Sequence, residues 1–459
     1  MSNMSNNPLV NESIGSRIAN AISRGKSKEV ESAKEMKFST LTAFIGENNG
    51  IPICAEACAC CWDKQIPEGY ENVAEYVAKR ARTGHTSITE HSNFIMAIRV
   101  GEACYDDLIK FLSYVRYLKL KVIEGPNQQY VIMAGSFRAY ADLYRMADDL
   151  KNSILNSVTN VLYQNANSAA FEDICSLGLL DKSLFKNPNV ELDPEYYLFS
   201  NPNVEIYEND LFKVISMDDL GNIYNKILAK FPELKDRLSV FDLCEMGTVT
   251  ILFKNMSRTG THQLVRHRDG ITQESQRYVD YSNACFSSPA LFKPEKYDKD
   301  HRYRIRFGPC SPVSMTLDEI GQAMCDIYSQ LHDPAVAGAG YALMREDARA
   351  FLPSNVQCKK IYLTFTYKNL LKFLNLREDS HAQAEIRKYA TSIGDWFRGC
   401  SKFKTKELCD LYTMPRLLIE DPIYIDEDLG TTEEKITITD EDYLRAAGLG
   451  DNNSSNEGE

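Results

Sequence analysis

The groups best suited to chemistry crowd into residues 257–282, which read SRTGTHQLVRHRDGITQESQRYVDYS. This stretch carries Arg258, Arg266, Arg268 and Arg277 within a chain whose formal net charge is −12. Arginine forks match the geometry of phosphate and carboxylate groups, and they keep their charge near neutral pH. The stretch therefore predicts a local anion site in acidic surroundings. A salt-bridged surface helix followed by a polar turn is the alternative.

Histidine is rare in this chain, and most of it is clustered. Five of the seven histidines fall in three short polar segments: His85 with His91, His262 with His267, and His381. Such clustering favours a functional site, and ordinary solvated or core histidines are the alternative. Because His85 and His91 are six residues apart, they do not share a helical face as the histidines of an H-E-x-x-H zinc site do. No metal is predicted there.

A third polar segment, residues 373–387, reads FLNLREDSHAQAEIR. Arg377, His381 and Glu385 follow one another at intervals of four, which places them on one face of a continuous helix. Alternatively, the EDS turn ends one helix and begins another, with an acidic or hydroxyl residue as its N-cap. Taken alone, a solvated helix face explains the segment as well as a binding site does.

The thirteen cysteines of the chain allow a disulfide framework, a metal site or reduced thiols. The odd count, the length of the chain and the absence of a visible signal peptide favour reduced thiols. Cys54, Cys58, Cys60 and Cys61 form one cluster, but its spacing lacks the paired C-x-x-C arms of zinc and iron–sulfur sites. We predict buried structural thiols on a packed helix.

Composition places the chain among ordinary globular proteins, with 459 residues, 44% hydrophobic and 25% charged. This length predicts one large domain with additions, or two to three domains. The net charge of −12 argues against nucleic acid or an anionic membrane as the main partner. We see no apolar run of about 18 residues, no secretory signal, and none of the common nucleotide or hydrolase motifs. A cytoplasmic protein is predicted.

The elements that must position these groups mix helices with strands. Residues 71–82 have the spacing of an amphipathic helix, and residues 94–100 alternate in strand fashion. Further strands are predicted over 39–46, 248–254 and 361–366, and further helices over 53–62, 315–331, 369–376 and 381–397. We predict an N-terminal extension (1–36), a two-part core (37–100 and 248–404), a largely helical insertion subdomain (101–247) and a C-terminal extension (405–459) with a disordered acidic tail.

Taken in order, the polar segments resemble the flavin-dependent thymidylate synthase (ThyX) family. That family shows G-H-x-S/T-x-x-E-H, S-R-x-x-x-H-Q-L-V-R-H-R, S-x-R-Y, A-R-x-x-L-P and N-L-R-x-x-x-H-A-Q-x-E-I-R. Here the motifs stand as Gly84–His91, Ser257–Arg268, Ser275–Tyr278, Ala348–Pro353 and Asn375–Arg387. Five segments in one order are far more specific than a single R-H-R, and the resemblance covers roughly residues 40–100 and 248–402.

The resemblance implies an enzyme that reductively methylates dUMP to dTMP. FAD would be its cofactor, NADPH and methylenetetrahydrofolate its co-substrates, and no protein nucleophile would be needed. It further implies an α+β fold with a mixed sheet flanked by helices, and a homotetramer whose sites lie between subunits. The periodicity of the sequence by itself supports only the α+β class.

The family's functional positions carry over residue by residue. Arg377 matches the catalytic arginine that polarises the uracil ring. The positions that resemble cofactor-binding residues are His85, Ser87, Glu90, Arg266, His267, Arg268, Lys368 and His381. The positions that resemble dUMP-binding residues are Gln263, Gln273, Ser275, Gln276, Arg277, Arg349 and Arg377.

The chain departs from the family pattern in three places. Six residues rather than seven separate Arg268 from Ser275. Lys368 replaces the arginine of an N-x-R and keeps only its positive charge. The third departure is the 101–247 insertion, in which MAGSFRAY resembles a strand-to-helix turn whose Arg138 would supply a flavin or phosphate contact.

Two other function classes stay open at this stage. A catalytically impaired homologue that still binds nucleotide or flavin is the runner-up, because the shortened loop after Arg268 falls in a flavin-binding motif. A nucleic-acid-binding module is the third, and the acidic net charge opposes it.

Overall fold

The computed structural model describes residues 42–45, 50–100, 109, 112–113, 115, 117–125, 129–150, 174–179, 207–267, 270–306 and 308–400. The expected N-terminal and C-terminal extensions fall outside these ranges, and so does Arg268. Within the described ranges, none of the helices combines the length and apolarity that crossing a bilayer requires.

The described strands form three sheets, and every pairing in them is antiparallel. The first sheet has the order β1-β2-β4-β3, the second β5-β6-β10-β7, and the third is the β8-β9 hairpin. The strands are β1 (Thr42–Ile45), β2 (Phe94–Val100), β3 (Lys119–Glu124), β4 (Gln129–Gly135), β5 (Phe212–Met217), β6 (Thr248–Ser257), β7 (Gly270–Gln273), β8 (Tyr303–Ile305), β9 (Val313–Met315) and β10 (Gln357–Thr366). The α+β class is confirmed, with antiparallel strands where a mixed sheet was expected.

Helices flank these sheets near the positions that the sequence predicts. They are α1 (Gly50–Trp62), α2 (Tyr70–Arg82), α3 (Phe137–Leu150), α4 (Leu220–Lys230), α5 (Arg258–Leu264), α6 (Pro289–Phe292), α7 (Leu317–His332), α8 (Pro334–Ala337), α9 (Arg345–Ala348), α10 (Tyr367–Glu378) and α11 (Ala384–Gly399). The 3-10 helices are Thr86–His91, Pro232–Leu234, Val240–Glu245, Val265–His267 and Arg349–Phe351. The EDS turn does end one helix, because α10 stops at Glu378 and α11 begins six residues later.

Residues 101–247 contribute strands as well as helices. Within this range β3 and β4 complete the first sheet, and β5 joins the edge of the second sheet by pairing with β6. The alternation of side chains along β2 and β4 places one face of each strand in a core shared with the second sheet and the other face against α1, α2 and α3. The segment that was expected to be a largely helical insertion therefore supplies strands to both sheets.

The cysteine cluster lies on α1, as predicted for buried thiols. Cys54, Cys58 and Cys60 are buried, and Cys61 is half-buried. Burial raises the pKa of the Cys58 and Cys61 thiols to about 11, so both are protonated at neutral pH.

A fully buried histidine joins the 3-10 helix Thr86–His91 to the second sheet. The two ring nitrogens of His91 each lie 2.9 Å from a threonine hydroxyl, that of Thr364 on β10 and that of Thr272 on β7. Burial lowers the pKa of His91 from 6.5 to about 3, so the ring is neutral and each nitrogen has a partner. This contact fixes residues 86–91 against the centre of the sheet.

A second buried polar contact sets the start of α5. Ser257 caps this helix by accepting the Gly260 N–H, and its hydroxyl donates to the Glu385 carboxylate at 2.5 Å. The other carboxylate oxygen of Glu385 accepts the Ser257 N–H at 2.7 Å. Burial raises the pKa of Glu385, while the two bonds from Ser257 lower it. The pair therefore joins the end of β6 to the beginning of α11.

Replacing His91 with Gln should make the free energy of unfolding depend less steeply on pH between 6.5 and about 3. The unfolded chain protonates His91 near 6.5 and the folded chain only near 3, so the free energy of unfolding falls as pH drops through this window. This group contributes at most about 1.4 kcal/mol per pH unit. Urea denaturation at several pH values measures the slope. The exposed His301→Gln variant should keep the slope of the parent, and an equally steep His91→Gln curve would contradict the assignment.

Replacing Ser257 with Ala should destabilise the chain by about 2–4 kcal/mol, because it removes a helix cap and leaves a buried carboxylate short of a donor. The matched control is Thr316→Ala, which removes the N-cap of α7 at an exposed site. That change should cost only about 1 kcal/mol. Denaturant unfolding gives both values, and equal losses would show that the Ser257–Glu385 pair adds nothing to capping.

Candidate functional site

A pocket of about 550 Å³ opens where the end of β7 meets α1 and the segment 349–354. Five of the seven positions that resemble dUMP-binding residues line it, together with one position that resembles a flavin-binding residue. The lining residues are Cys61, His85, Arg258, His262, Gln273, Glu274, Ser275, Gln276, Arg277, Tyr278, Arg349, Leu352, Pro353 and Ser354. The chain thus brings together groups that lie up to 293 positions apart in its sequence.

The backbone beneath the pocket is fixed from two sides. The buried Glu274 carboxylate accepts a hydrogen bond from the Lys359 N–H at 2.7 Å. The backbone carbonyl of Glu274 accepts one from the Arg258 guanidinium at 3.2 Å. The Ser275 N–H donates to the Cys61 carbonyl at 3.1 Å, which ties the loop to α1. Burial raises the pKa of Glu274. The loop that follows β7 therefore holds its serine and arginine side chains at the pocket on a rigid base.

The pocket is rich in positive charge. Arg258, Arg277 and Arg349 line it with one carboxylate, that of Glu274. Arg277 Nε lies 3.0 Å from a Glu346 carboxylate oxygen, and the two side chains are 51% and 43% exposed. The Nε of Arg258 and the Oε1 of Gln273 are buried and make no hydrogen bond within the described part of the chain. Buried polar atoms of this kind favour a bound polar ligand.

Two rings that line the pocket, those of His85 and Tyr278, pack against Trp62 behind them. Trp62 stacks on Tyr278 at a centroid distance of 5.7 Å and meets His85 edge-on at 5.0 Å. The Arg80 guanidinium lies 5.9 Å from the Trp62 ring. Sequence reasoning missed Trp62, although it directly follows the cysteine cluster. It also gave no role to Tyr278, which the S-x-R-Y motif contains.

A second group of predicted residues gathers at the end of α10. Arg266 and His267 stand near Arg377, since the charge of Arg266 lowers the pKa of Arg377 and the charge of Arg377 lowers that of His267. In both residues burial is the larger cause, and the pKa of His267 falls to about 4. His267 Nε2 and Arg377 Nε are buried and make no hydrogen bond among the described residues. We call Arg266 and Arg377, together with the neutral His267, the cationic cluster.

Helix α5 connects the pocket with the cationic cluster. Arg258, at its first position, lines the pocket, and Val265–His267 follows its last turn. Arg258 and Arg266 are eight positions apart, which at the rise of an α-helix corresponds to roughly 12 Å along the helix axis. Between them, Gln263 donates its side-chain amide to the Gln383 side chain and does not line the pocket.

The remaining predicted residues stand apart from both places. Glu90 forms an ion pair with Arg138, and Lys368 forms one with Glu245. The His381 side chain is 95% exposed and lies 2.8 Å from the Asp379 carboxylate. Ser87 is exposed, and Arg268 lies outside the described residues. Within one chain, therefore, the predicted flavin-binding positions do not form a single pocket.

Comparison with known proteins agrees with the motifs. The family model for thymidylate synthase complementing protein (Thy1) matches residues 233–400. A flavin-dependent thymidylate synthase of Kosmotoga olearia is 30% identical over 173 residues, which cover 36% of this chain and 72% of that protein. One from Thermosipho africanus is 31% identical over 200 residues, covering 40% of this chain and 84% of that protein.

Part of this chain also aligns with a solved structure. The crystal structure of ThyX from Helicobacter pylori, complexed with FAD and dUMP, is 13% identical and covers 46% of this chain and 100% of that one. Its TM-score of 0.30 is too low to support an argument from its fold.

The sequence relatives carry the assignment, since they match at 30% identity or more across over two thirds of their own length. The structure builds both the pocket and the cationic cluster from residues of the same motifs. This chain belongs to the flavin-dependent thymidylate synthase family.

Proposed function

We propose that the chain converts dUMP to dTMP by reductive methylation, with FAD as cofactor and methylenetetrahydrofolate and NAD(P)H as co-substrates. The observation that carries this proposal is the pocket that collects Gln273, Ser275, Gln276, Arg277 and Arg349. Family membership supports it, because the relatives bear the name of this activity. A homotetrameric, cytoplasmic enzyme remains part of the proposal.

The pocket suits a pyrimidine nucleoside monophosphate. Its volume of about 550 Å³ lies within the usual range for small-molecule sites. Arg277 and Arg349 supply bidentate donors for a phosphate, and Ser275 adds a hydroxyl donor beside them. The buried Oε1 of Gln273 accepts a hydrogen bond, which the N–H of a uracil ring can donate.

The cationic cluster fits an anionic flavin nucleotide. A ligand with phosphate groups and carbonyl oxygens supplies an acceptor for the buried Arg377 Nε, and its polar atoms can pair with the buried His267 Nε2, which donates or accepts according to its tautomer. It also relieves the repulsion from Arg266, which adds to the effect of burial in lowering the pKa of Arg377. When bound, the flavin supplies the hydride of the reaction. We assign Arg266, His267 and Arg377 to holding it.

The chemistry in this proposal needs no protein nucleophile. Cys61 lines the pocket, but burial raises the pKa of its thiol to about 11. A protonated thiol is a poor nucleophile. The role left to the protein is to orient the reactants and to stabilise charge. We assign to Arg377 the stabilisation of negative charge that develops on the uracil carbonyl side.

The direct test is formation of dTMP, or release of tritium from labelled dUMP, by the purified full-length chain with FAD, NADPH and methylenetetrahydrofolate. Turnover supports the proposal. A colourless protein that binds dUMP without turnover, in the presence of added FAD, would instead identify a catalytically impaired homologue.

Replacing Glu346 with Gln should strengthen dUMP binding by about two- to five-fold, because a half-exposed carboxylate then no longer competes with the phosphate for Arg277. Asp280→Asn is the matched control, since Asp280 pairs with the neighbouring Arg345 at 3.4 Å. Isothermal titration with dUMP gives both affinities. Unchanged or weaker binding by Glu346→Gln would place the phosphate away from Arg277.

Replacing Arg377 with Ala should reduce turnover by about 100- to 1000-fold, the loss typical of a single group that stabilises transition-state charge. The affinity for FAD should fall far less, because Arg266 and His267 remain. The control is Lys388→Ala, which removes one positive charge at an exposed site on α11. Single-turnover rates and flavin titrations separate the two effects, and equal losses of turnover and FAD affinity would contradict the role.

A further inference from the structure

One turn of the chain, Ser275–Tyr278, carries four of the residues that line the candidate pocket. The Tyr278 N–H donates to the Ser275 carbonyl at 3.1 Å and closes the turn. Ser275 and Arg277 are the groups on this turn that are proposed to bind the phosphate. Arg277 and Tyr278 are exposed, so these two side chains have little contact of their own with the core.

The last two residues of α1 contact both ends of this turn. The Cys61 carbonyl accepts a hydrogen bond from the Ser275 N–H at 3.1 Å. The Trp62 ring stacks on the Tyr278 ring, with the centroids 5.7 Å apart and the planes inclined by 25°. Helix α1 therefore holds the first residue of the turn through its backbone and the fourth residue through a side chain.

Trp62 is itself anchored to the body of the protein. It is half-buried and packs against the core that α1 and α2 share with the first sheet. The Arg80 guanidinium of α2 lies 5.9 Å from the centroid of its ring and 4.4 Å from that of the Tyr76 ring. A cation over an aromatic face is attracted to it. The indole thus links a well-packed part of the chain to the exposed Tyr278.

The Tyr278 ring in turn contacts two other groups that line the pocket. The Arg277 guanidinium lies 5.6 Å from its centroid, and the His85 ring meets it edge-on at 6.4 Å. The backbone of Tyr278 is held as well, because its carbonyl accepts a hydrogen bond from Arg345 at 3.0 Å. A displaced Tyr278 ring would therefore disturb both the arginine and the histidine at the pocket.

We propose that Trp62 is a positioning residue for binding of the nucleotide phosphate. This inference rests on the proposed function and adds α1 to the site, although α1 lies outside the residues 233–400 that match the family model. Trp62 does not line the pocket, so it acts through the Tyr278 ring. A turn that is already held in its binding shape loses less conformational freedom when the ligand binds, and the affinity is higher for that reason.

The test is isothermal titration of dUMP into full-length variants saturated with FAD. Trp62→Leu should weaken dUMP binding by about three- to ten-fold, the range expected for the loss of one aromatic pair. Trp62→Phe keeps a ring for stacking and should stay within about two-fold of the parent. The affinity for FAD should fall much less in both variants, because the cationic cluster assigned to the flavin is unchanged. Equal losses of dUMP and FAD affinity would contradict the role.

A double-mutant cycle with Tyr278→Leu asks whether the effect passes through the tyrosine ring. Tyr278→Leu, at an exposed position, should weaken dUMP binding at least as much as Trp62→Leu does, so the inference stays testable even if Trp62→Leu is unstable. In the Tyr278→Leu background, Trp62→Leu should add little, because the ring that it supports is already gone. Strictly additive losses would overturn the inference.

Tyr207→Leu is the matched control. Tyr207 is also half-buried and packs on a tryptophan, with its ring 6.1 Å from that of Trp396, but it does not line the pocket. Its dUMP affinity should equal that of the parent, and thermal unfolding checks that each variant is folded. If the parent binds dUMP and Trp62→Leu binds it equally well, the inference fails while the proposed function stands. A parent chain without affinity for dUMP would overturn both.

Discussion

The arrangement of the candidate site depends on one buried imidazole. His91 satisfies both ring nitrogens with the hydroxyls of Thr272 and Thr364, and burial keeps it neutral. These bonds hold the helix Thr86–His91 on β7 and β10, the two strands from which the pocket loop and α10 emerge. If this helix moved away from the sheet, His91 would lose both bonds. That loss is costly because a buried ring nitrogen without a partner destabilises the fold. This contact therefore fixes the positions of His85 and Glu90, which lie next to and within that helix.

Buried polar groups in this protein fall into two kinds. His91 and Glu385 have all their needs met by threonine and serine partners, as structural groups usually do. His267 Nε2 and Arg377 Nε are buried without such partners in the described part of the chain. Ser216 Oγ and Gln129 Oε1, which lie outside the motifs, are in the same state. Burial without a partner therefore supports a ligand only where it coincides with motif residues, as it does at His267 and Arg377.

Local charge runs against the charge of the whole molecule. A chain with a formal net charge of −12 places three arginines around one pocket and two more beside His267. Burial lowers the pKa of Arg377, and repulsion from Arg266 lowers it further, which shows the cost of concentrating cations in this way. An anionic ligand offsets that repulsion. Because the rest of the chain is acidic, the positive charge is limited to these two places. A small basic region of this kind suits a small anion better than an extended polyanion.

The sequence by itself determined the class of the fold, the family and most of the elements. The helices over residues 71–82 and 315–331 and the strand over 94–100 appear within about two residues of their predicted ends, because apolar periodicity is a local property. The motif residues from Gln273 to Arg277 could be named for the same reason, since they lie together in one short segment.

Only the tertiary structure decided what lies next to what. Strand pairing drew β3, β4 and β5 from residues 101–247 into the two sheets, which no local pattern predicts because register depends on distant partners. It also set Trp62 against Tyr278 and Arg138 against Glu90, pairs 216 and 48 positions apart. The sequence assigned side chains to an anion site by their chemistry. Their separation into a pocket and a cationic cluster follows from packing and burial, which a linear motif does not encode.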